Sequence, residues 1–323
     1  MYGFRVCTYS RWEQGLRSGS ASSAVAALVT ILLVILPMFA SASEAGDATH
    51  FLRDGLGASG RAVGSAFVAL ADDYSAVFWN PALPVQSPST VVGGGLEQRN
   101  GGLFTFNILG GWHAADRWSG GVLVVTSDLY DIYHVAGGVR YKKATAGLAI
   151  KSYQFGVPGD RGSGLGLDIG ARYTVRLSDA TLSFAAVSRD VGWTAIRWGA
   201  IETLSVDRTA WVNRMAVAME VPLKRGMWSV EVDGELATRR PPNVGEAEYW
   251  RQAGELNLSL GMVLEWGGIR LRAGVQRYTL SEAGGRFRPT VGLGMVVGTL
   301  SVDLALVPSP LGVTYLGGFQ AKL

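Results

Sequence analysis

Leu165-Gly-Leu-Asp-Ile-Gly-Ala-Arg-Tyr-Thr-Val-Arg176 alternates almost without a break between apolar residues and polar or glycine residues. In an extended chain successive side chains point to opposite faces, so Leu165, Leu167, Ile169, Ala171, Tyr173 and Val175 share one face. Gly166, Asp168, Gly170, Arg172, Thr174 and Arg176 share the other. A helix would scatter both sets around its axis. The pattern recurs: Leu256, Leu258, Leu260, Met262, Leu264 and Trp266 oppose Glu255, Asn257, Ser259, Gly261 and Glu265, and Trp228, Val230, Val232 and Leu236 oppose Ser229, Glu231, Asp233 and Glu235. These runs reach about ten residues or more, the length a tilted membrane-crossing strand needs and longer than the five or six usual in soluble sheets.

The alternation predicts strands at 90–97, 103–112, 118–126, 132–140, 145–154, 164–176, 181–188, 210–221, 227–237, 255–266, 269–278, 289–297, 300–307 and 312–323. The expected fold class is therefore all-β: a transmembrane antiparallel β-barrel of about fourteen strands, an even number as bacterial barrels have. Ser178–Ala180, Pro222–Gly226, Gly267-Gly268 and Gly298-Thr299 are tight connections, whereas Arg189–Thr209 and Thr238–Ala253 are long. Short turns face the periplasm and long loops the outside, which puts both ends of the barrel in the periplasm. Interfacial aromatics should form girdles: Trp112, Trp118, Tyr141, Trp228 and Trp266 at the periplasmic ends, and Tyr153, Trp211 and Tyr278 at the outer ends.

Composition supports lipid as the solvent of this barrel. Apolar residues make up 48% and charged residues only 17%, and there are 44 glycines. With a formal charge of +3 and scattered Lys and Arg, no basic stripe can track a phosphate backbone, so nucleic acid is excluded as a partner. Arg5, Arg11 and Arg17, the apolar stretch Ala24–Leu36 broken by Thr30, and Ala40-Ser41-Ala42 read as a signal peptide over 1–42. Ser43-Glu44-Ala45 is a second cleavage site, and Ala21–Ala42 could alternatively span the bilayer as a retained helix. The expected location is the bacterial outer membrane after Sec-type export, with membrane lipid and the barrel-assembly machinery as partners. The single cysteine, Cys7, leaves with the leader, which rules out disulfides and thiolate chemistry in the mature chain.

Residues 43–89 lie between the leader and the barrel, which occupies 90–323. Within them, Asp72 or Asp73 can cap a short helix over Tyr74–Phe78 that Pro81 stops. The upstream glycines Gly57, Gly60 and Gly64 allow close backbone packing, as a plug would need. They do not fit a dinucleotide loop, having neither the spacing nor a preceding strand.

A Gly-rich stretch, then Ala71-Asp72-Asp73, then Phe78-Trp79-Asn80-Pro81-Ala82, resembles the start of PorV/PorQ-type proteins in the FadL-like outer-membrane barrel superfamily. Leu264-Glu265-Trp266, Arg270–Gly274 and Val302–Pro308 are similar to that family's late strands. Leu83-Pro84 replaces the family's Gly-Leu, and the chain ends on Leu323 rather than an aromatic residue. The resemblance implies a fourteen-stranded barrel with an internal hatch whose motif residues are Asp72, Asp73, Trp79, Asn80, Pro81 and Ala82. Relatives include hydrophobic-compound channels and carriers of exported proteins in type IX secretion.

His50, His113 and His134 are the only histidines, and none has a nucleophile motif beside it; no enzyme activity, metal or cofactor is expected. Glu231, Asp233 and Glu235 read as inward strand carboxylates rather than a calcium site. The inward face also carries Asp168, Arg172, Arg176, Arg214, Glu265, Arg270, Arg272 and Asp303 among many glycines. Balanced charge interspersed with glycine suits a lumen filled by a plug and ion pairs rather than an open pore. Three functions follow: a conduit for hydrophobic small molecules, a binding barrel for exported proteins, or a structural barrel. Trp193, Ile196 and Trp198 are candidate outer-loop contacts for a partner. The sharpest expectation is a register in which Gly267-Gly268 places Trp266 opposite Ile269, Glu265 opposite Arg270 and Gly261 opposite Gly274.

Overall fold

Fourteen antiparallel strands close into a barrel in the computed structural model, which describes residues 50–86, 88–102, 104–157, 159–199, 207–238, 254–278, 287–309 and 312–323. The strands are β1 (Ser89–Arg99), β2 (Phe104–Ala114), β3 (Trp118–Thr126), β4 (Tyr130–Tyr141), β5 (Ala144–Val157), β6 (Asp160–Arg176) and β7 (Thr181–Arg189). After a short hairpin of β8 (Ala195–Trp198) and β9 (Asp207–Arg208), the wall resumes with β10 (Trp211–Leu223), β11 (Gly226–Thr238) and β12 (Gly254–Trp266). It ends with β13 (Ile269–Tyr278), β14 (Phe287–Val297), β15 (Leu300–Ser309) and β16 (Gly312–Lys322). Each wall strand pairs with the next, β7 pairs with β10, and β16 returns to β1 with Gly94 opposite Phe319. Closure leaves no edge strand, the condition for a sheet to sit in hydrocarbon.

All fourteen expected strands are present, with ends moved by a few residues. The signal-peptide reading, 1–42, lies outside the described residues, as does most of the 238–253 loop. The alternation sorts the faces as expected: Leu165, Ile169, Met215, Leu293 and Leu304 are exposed on the outer wall, while Asp168, Arg172, Arg214, Glu231 and Asp303 are buried inside. Arg176, at the strand's end, is exposed instead. The register holds as well, with Trp266 opposite Ile269, Glu265 opposite Arg270, Leu264 opposite Leu271 and Gly261 opposite Gly274. At Gly298-Thr299, Val297 meets Leu300 and Gly294 meets Asp303. Both glycines of the Gly267-Gly268 turn have positive φ, 57° and 86°, the backbone a two-residue hairpin requires.

Two aromatics depart from the girdle. Trp118, Tyr141 and Trp266 are exposed at the end carrying the tight turns, but Trp112 is buried inside, its indole N–H donating to the Asp73 carbonyl at 2.9 Å. Tyr153 is also inside and fully buried. The reason is parity: Trp112 shares its face with Phe106 and Ile108, and Tyr153 shares its face with Lys151, so both side chains are aimed at the lumen. The Tyr278 side chain is outside the described residues.

Candidate functional site

The lumen is filled by residues 52–86, almost all of them buried. This N-terminal segment carries three short helices, α1 (His50–Arg53), α2 (Ala58–Ala62) and α3 (Ala76–Trp79). Helix α3 begins at Ala76, two residues later than the expected start at Tyr74. Asp73 does not cap it through the first helical amide; its Oδ1 accepts the Ser75 amide at 2.9 Å and the Ser75 hydroxyl at 2.6 Å, folding a turn ahead of the helix. Asn80, extended at φ −162° as a residue before proline must be, ends it.

Trp79 is the segment's core. It is fully buried, meets Phe67 and Phe78 edge-on at 5.7 Å each, and donates its indole N–H to the Leu56 carbonyl at 3.0 Å. Edge-to-face geometry sets the positive rim of one ring against the negative face of the next. Asn80 pins the segment to the wall: its amide donates to the carbonyls of Val68 and Ala171, both at 3.2 Å, while its Oδ1 accepts the Ala82 amide at 3.0 Å. Asn80 thus joins two parts of the segment to β6. Asp72 is exposed, and Pro81 and Ala82 are buried beside Asn80.

Inward glycines make the seat. A Cβ added at Gly170 would stand 2.0 Å from the Asn80 Oδ1, one at Gly147 2.3 Å from the Pro81 carbonyl carbon, and one at Gly274 2.1 Å from the Val63 carbonyl carbon. Gly121 and Gly292 give way in the same manner to Val77 and Ala62. Any larger residue there would displace either the strand or the segment.

Charged residues hold the segment where glycine does not. Arg53 donates from Nε and Nη2 to Glu235 Oε1, both at 3.1 Å, and Asn257 donates to the same oxygen at 2.9 Å. Glu231 accepts the Ala69 amide at 2.9 Å, Glu97 accepts the Gly57 amide at 2.7 Å, and Asp303 accepts the Ser59 hydroxyl at 3.2 Å. Arg214, paired with Asp233 at 2.7 Å, also donates to the Ser65 carbonyl. Charge-assisted bonds to backbone groups satisfy a segment too short to satisfy its own. The expected pairs lie on the same face: Arg272 contacts Asp303, and Arg270 meets Glu265 at 2.8 Å nearer the mouth. Burial pushes the Asp73 carboxyl up to about 6, opposed by its bonds from Ser75 and reinforced by the charge on Asp72.

A second charged group faces β4–β6. Asp168 lies 2.8 Å from the Lys151 ammonium and 3.4 Å from His134 Nε2. Lys151 also meets Asp190 at 2.8 Å, and Asp190 accepts bonds from the Tyr153 hydroxyl at 2.9 Å and the Thr194 hydroxyl at 3.0 Å. Asp190 begins the β7–β10 connection, so this group folds that connection onto the wall. The candidate loop contacts are part of this arrangement. Ile196 is fully buried and so is not offered to a partner; Trp193 is half-buried against Trp211 at 5.1 Å, and Trp198 lies 6.1 Å from Phe155. They pack on their own barrel because β8 pairs with β6, bringing the loop down onto the rim. Its alternation over only four residues, 195–198, left no strand signal.

Two cavities flank the filled lumen. At the long-loop end a cavity of about 440 Å³ is lined by Tyr130, Phe155, Leu129, Asp131 and Arg161. At the tight-turn end one of about 300 Å³ runs between the segment and the wall, lined by Phe67, Leu70, Trp112 and Val263 and edged by Asp72, Arg172 and Arg270. Phe106, Tyr130, Phe155 and Tyr153 form a chain of ring contacts at 5.4–6.1 Å beside the first cavity. This aromatic chain was hidden from the sequence because its members come from three strands.

No protein-family model and no curated protein matches this sequence. The structure is similar to the CymD monoaromatic hydrocarbon channel, with a TM-score of 0.55 at 12% identity over 84% of this chain and 98% of that one. It is similar to the toluene transporter TbuX of Ralstonia pickettii, with a TM-score of 0.54 at 12% identity over 84% of this chain and all of the other. The likeness is one of fold, a closed antiparallel barrel of fourteen strands.

Proposed function

We propose that this protein is an outer-membrane conduit for hydrophobic small molecules, with the N-terminal segment as its hatch. The observation that carries the reading is the placement of that segment: it fills the lumen between a mixed polar pocket at the long-loop end, with Tyr130 and Phe155 in its wall, and a partly apolar one at the tight-turn end. Such an arrangement excludes free passage of water and ions while leaving a pocket with aromatic rings in its wall at each end. The likeness in fold to channels for monoaromatic hydrocarbons supports it. In this reading the tight turns face the periplasm and the long loops the exterior, as in other bacterial barrels. The barrel acts by passage alone, without enzyme chemistry.

Within the superfamily, Ala71-Asp72-Asp73 and Asn80-Pro81-Ala82 support membership of the PorV/PorQ-type branch. A carrier of exported proteins would present apolar anchors on its outer loops. Ile196 is buried and Trp193 and Trp198 pack on the barrel, which favours the conduit. Uptake of toluene into vesicles with a lipopolysaccharide outer leaflet tests the proposal: vesicles carrying the protein should load faster than protein-free ones. Equal loading would overturn it.

A further inference from the structure

The tight-turn end of the barrel carries its charge on one side. Arg117 lies between β2 and β3, Lys142 and Lys143 between β4 and β5, Arg176 at the end of β6 before the turn to β7, and Lys224 and Arg225 between β10 and β11. Because β7 pairs with β10, these four turns are consecutive around the rim, although they run from 117 to 225 in sequence. The Arg140 amide donates to the Arg117 carbonyl at 2.9 Å and the Thr174 amide to the Lys143 carbonyl at 3.0 Å, which ties the first three together. Two strand spacings, about 10 Å, separate each turn from the next, so the four cover about 30 Å of rim. All six cations are exposed, against two exposed carboxylates, Asp116 and Asp179. Among the described residues none of the six makes an ion pair or a side-chain hydrogen bond. The next two turns, Gly267-Gly268 and Gly298-Thr299, have no charge; near them Glu265 and Arg270 neutralise each other at 2.8 Å, and Lys322 is exposed. Lys142 has left-handed backbone, φ 55°, where glycine would be free of strain, as it is at Gly267. That turn keeps a charge at the expense of an easier backbone.

Each basic turn also carries an apolar side chain on the lipid face. Trp118 follows Arg117, Tyr141 precedes Lys142, Leu177 follows Arg176 and Leu223 precedes Lys224; all four are exposed and keep the outward parity of the strands they adjoin. The Lys142 ammonium lies 5.2 Å from the centre of the Tyr141 ring. A cation beside a lipid-facing ring or aliphatic chain matches a phospholipid at the boundary between its headgroup and its acyl chains. An acidic protein surface would call for the charge but not for the lipid-facing neighbours. We propose that this arc binds anionic phospholipid, holding the headgroup phosphates of the leaflet at the tight-turn end. Arginine can donate two parallel bonds to one phosphate, and lysine adds a compact charge. In the orientation proposed above, this is the leaflet that faces the periplasm. The arc lies on the outer rim, so the inference is independent of what the barrel passes.

The test places the full chain in phosphatidylcholine vesicles with a trace of spin-labelled phosphatidylglycerol or spin-labelled phosphatidylcholine, and reads the fraction of each label immobilised at the barrel. The wild-type barrel should prefer phosphatidylglycerol about threefold, averaged over all the lipid that touches the wall, since only the arc selects. The preference should vanish when salt is raised from about 0.1 M to about 1 M, where the screening length falls from about 10 Å to about 3 Å. Combining Lys142→Asn, Lys143→Gln, Lys224→Gln and Arg225→Gln should bring it close to parity; asparagine at 142 tolerates the left-handed backbone. Arg225→Gln alone should lower it part of the way, and Arg197→Gln, which removes one exposed charge at the long-loop end, should leave it unchanged. Inorganic phosphate should displace the labelled lipid no better than chloride at equal ionic strength. Heat-modifiable migration on gels checks that each barrel has folded. A folded four-site variant with the wild-type preference, equal losses in Arg225→Gln and Arg197→Gln, or a preference indifferent to salt would overturn the lipid assignment and leave the arc to an acidic protein. Selective displacement by phosphate would overturn it in favour of a soluble phosphate ligand.

Discussion

The charges on β10–β12 and those on β4–β6 are equally buried and similarly composed, yet they hold different things. On β10–β12, Arg214, Glu231 and Glu235 bind backbone or side-chain groups of the hatch. On β4–β6, Lys151, Tyr153 and Asp168 bind Asp190 and so hold the β7–β10 connection. A polar lumen is therefore no measure of a wet pore; here one set of charges fastens a plug and the other fastens a loop. Arg189 alone among the described side chains reaches from the loop's root to the hatch.

Deleting residues 50–86 should produce the largest effect, because it removes what fills the lumen while leaving every strand pair in place. Dye efflux should rise far above that of any point variant, with heat-modifiable folding retained. A deleted barrel as tight as the intact one would mean that some other element closes it.

Breaking one buried pair on each side sharpens the contrast. Arg53→Ala leaves Glu235 buried with only the more distant Arg214, at 3.8 Å, as its cation, a loss below the about 3–5 kcal/mol of a fully broken buried pair, and should raise efflux without making the β7–β10 connection more sensitive to protease. Lys151→Met should do the reverse, shortening the lifetime of that connection in limited proteolysis with a smaller change in efflux. Identical phenotypes would erase the division of labour.

Asp73 adds a dependence on pH to the hatch side. Its docked carboxyl titrates at about 6, above the ordinary 3.8, so docking binds the proton more tightly than release does. The stabilisation is full below the ordinary value and is lost as pH rises through about 6. Efflux should accordingly increase between pH 5 and pH 7, and Asp73→Asn should flatten the curve at its tighter level. A variant with the wild-type profile would assign the titration to another group.

The smallest effect belongs to Glu265 and Arg270, which sit half-open at the mouth. Either single charge reversal should cost about 0.2–1 kcal/mol, and the swapped pair should recover it, measured by urea midpoint. Failure of the swap would show that the register is held by the lipid-facing residues alone.

The barrel was legible because its code is local and repeated. Period two, strand length and paired glycines at turns each stand in consecutive residues, which is why the Gly267-Gly268 register could be read residue by residue. Inward charge was legible for the same reason, but its partners were not. Arg53 and Glu235 are 182 residues apart, and nothing in either neighbourhood marks the other. Trp112 and Tyr153 misled because an aromatic at a strand end suits a membrane interface as well as a plug contact; only the parity of Lys151 and Phe106 distinguished them. The packing of the loop tryptophans on the rim was not legible because a four-residue strand leaves no periodic trace.

The glycine seat has a genetic consequence. A methyl group added at Gly147 or Gly274 runs into the hatch backbone and one at Gly170 into the Asn80 side chain, at 2.0–2.3 Å, while each strand keeps its neighbours on both sides. A screen for bacteria made sensitive to large antibiotics should therefore collect glycine replacements scattered over β5, β6 and β13. Sequence would show them as unrelated sites. Plotted on the barrel they would trace one outline, the silhouette of the segment they unseat.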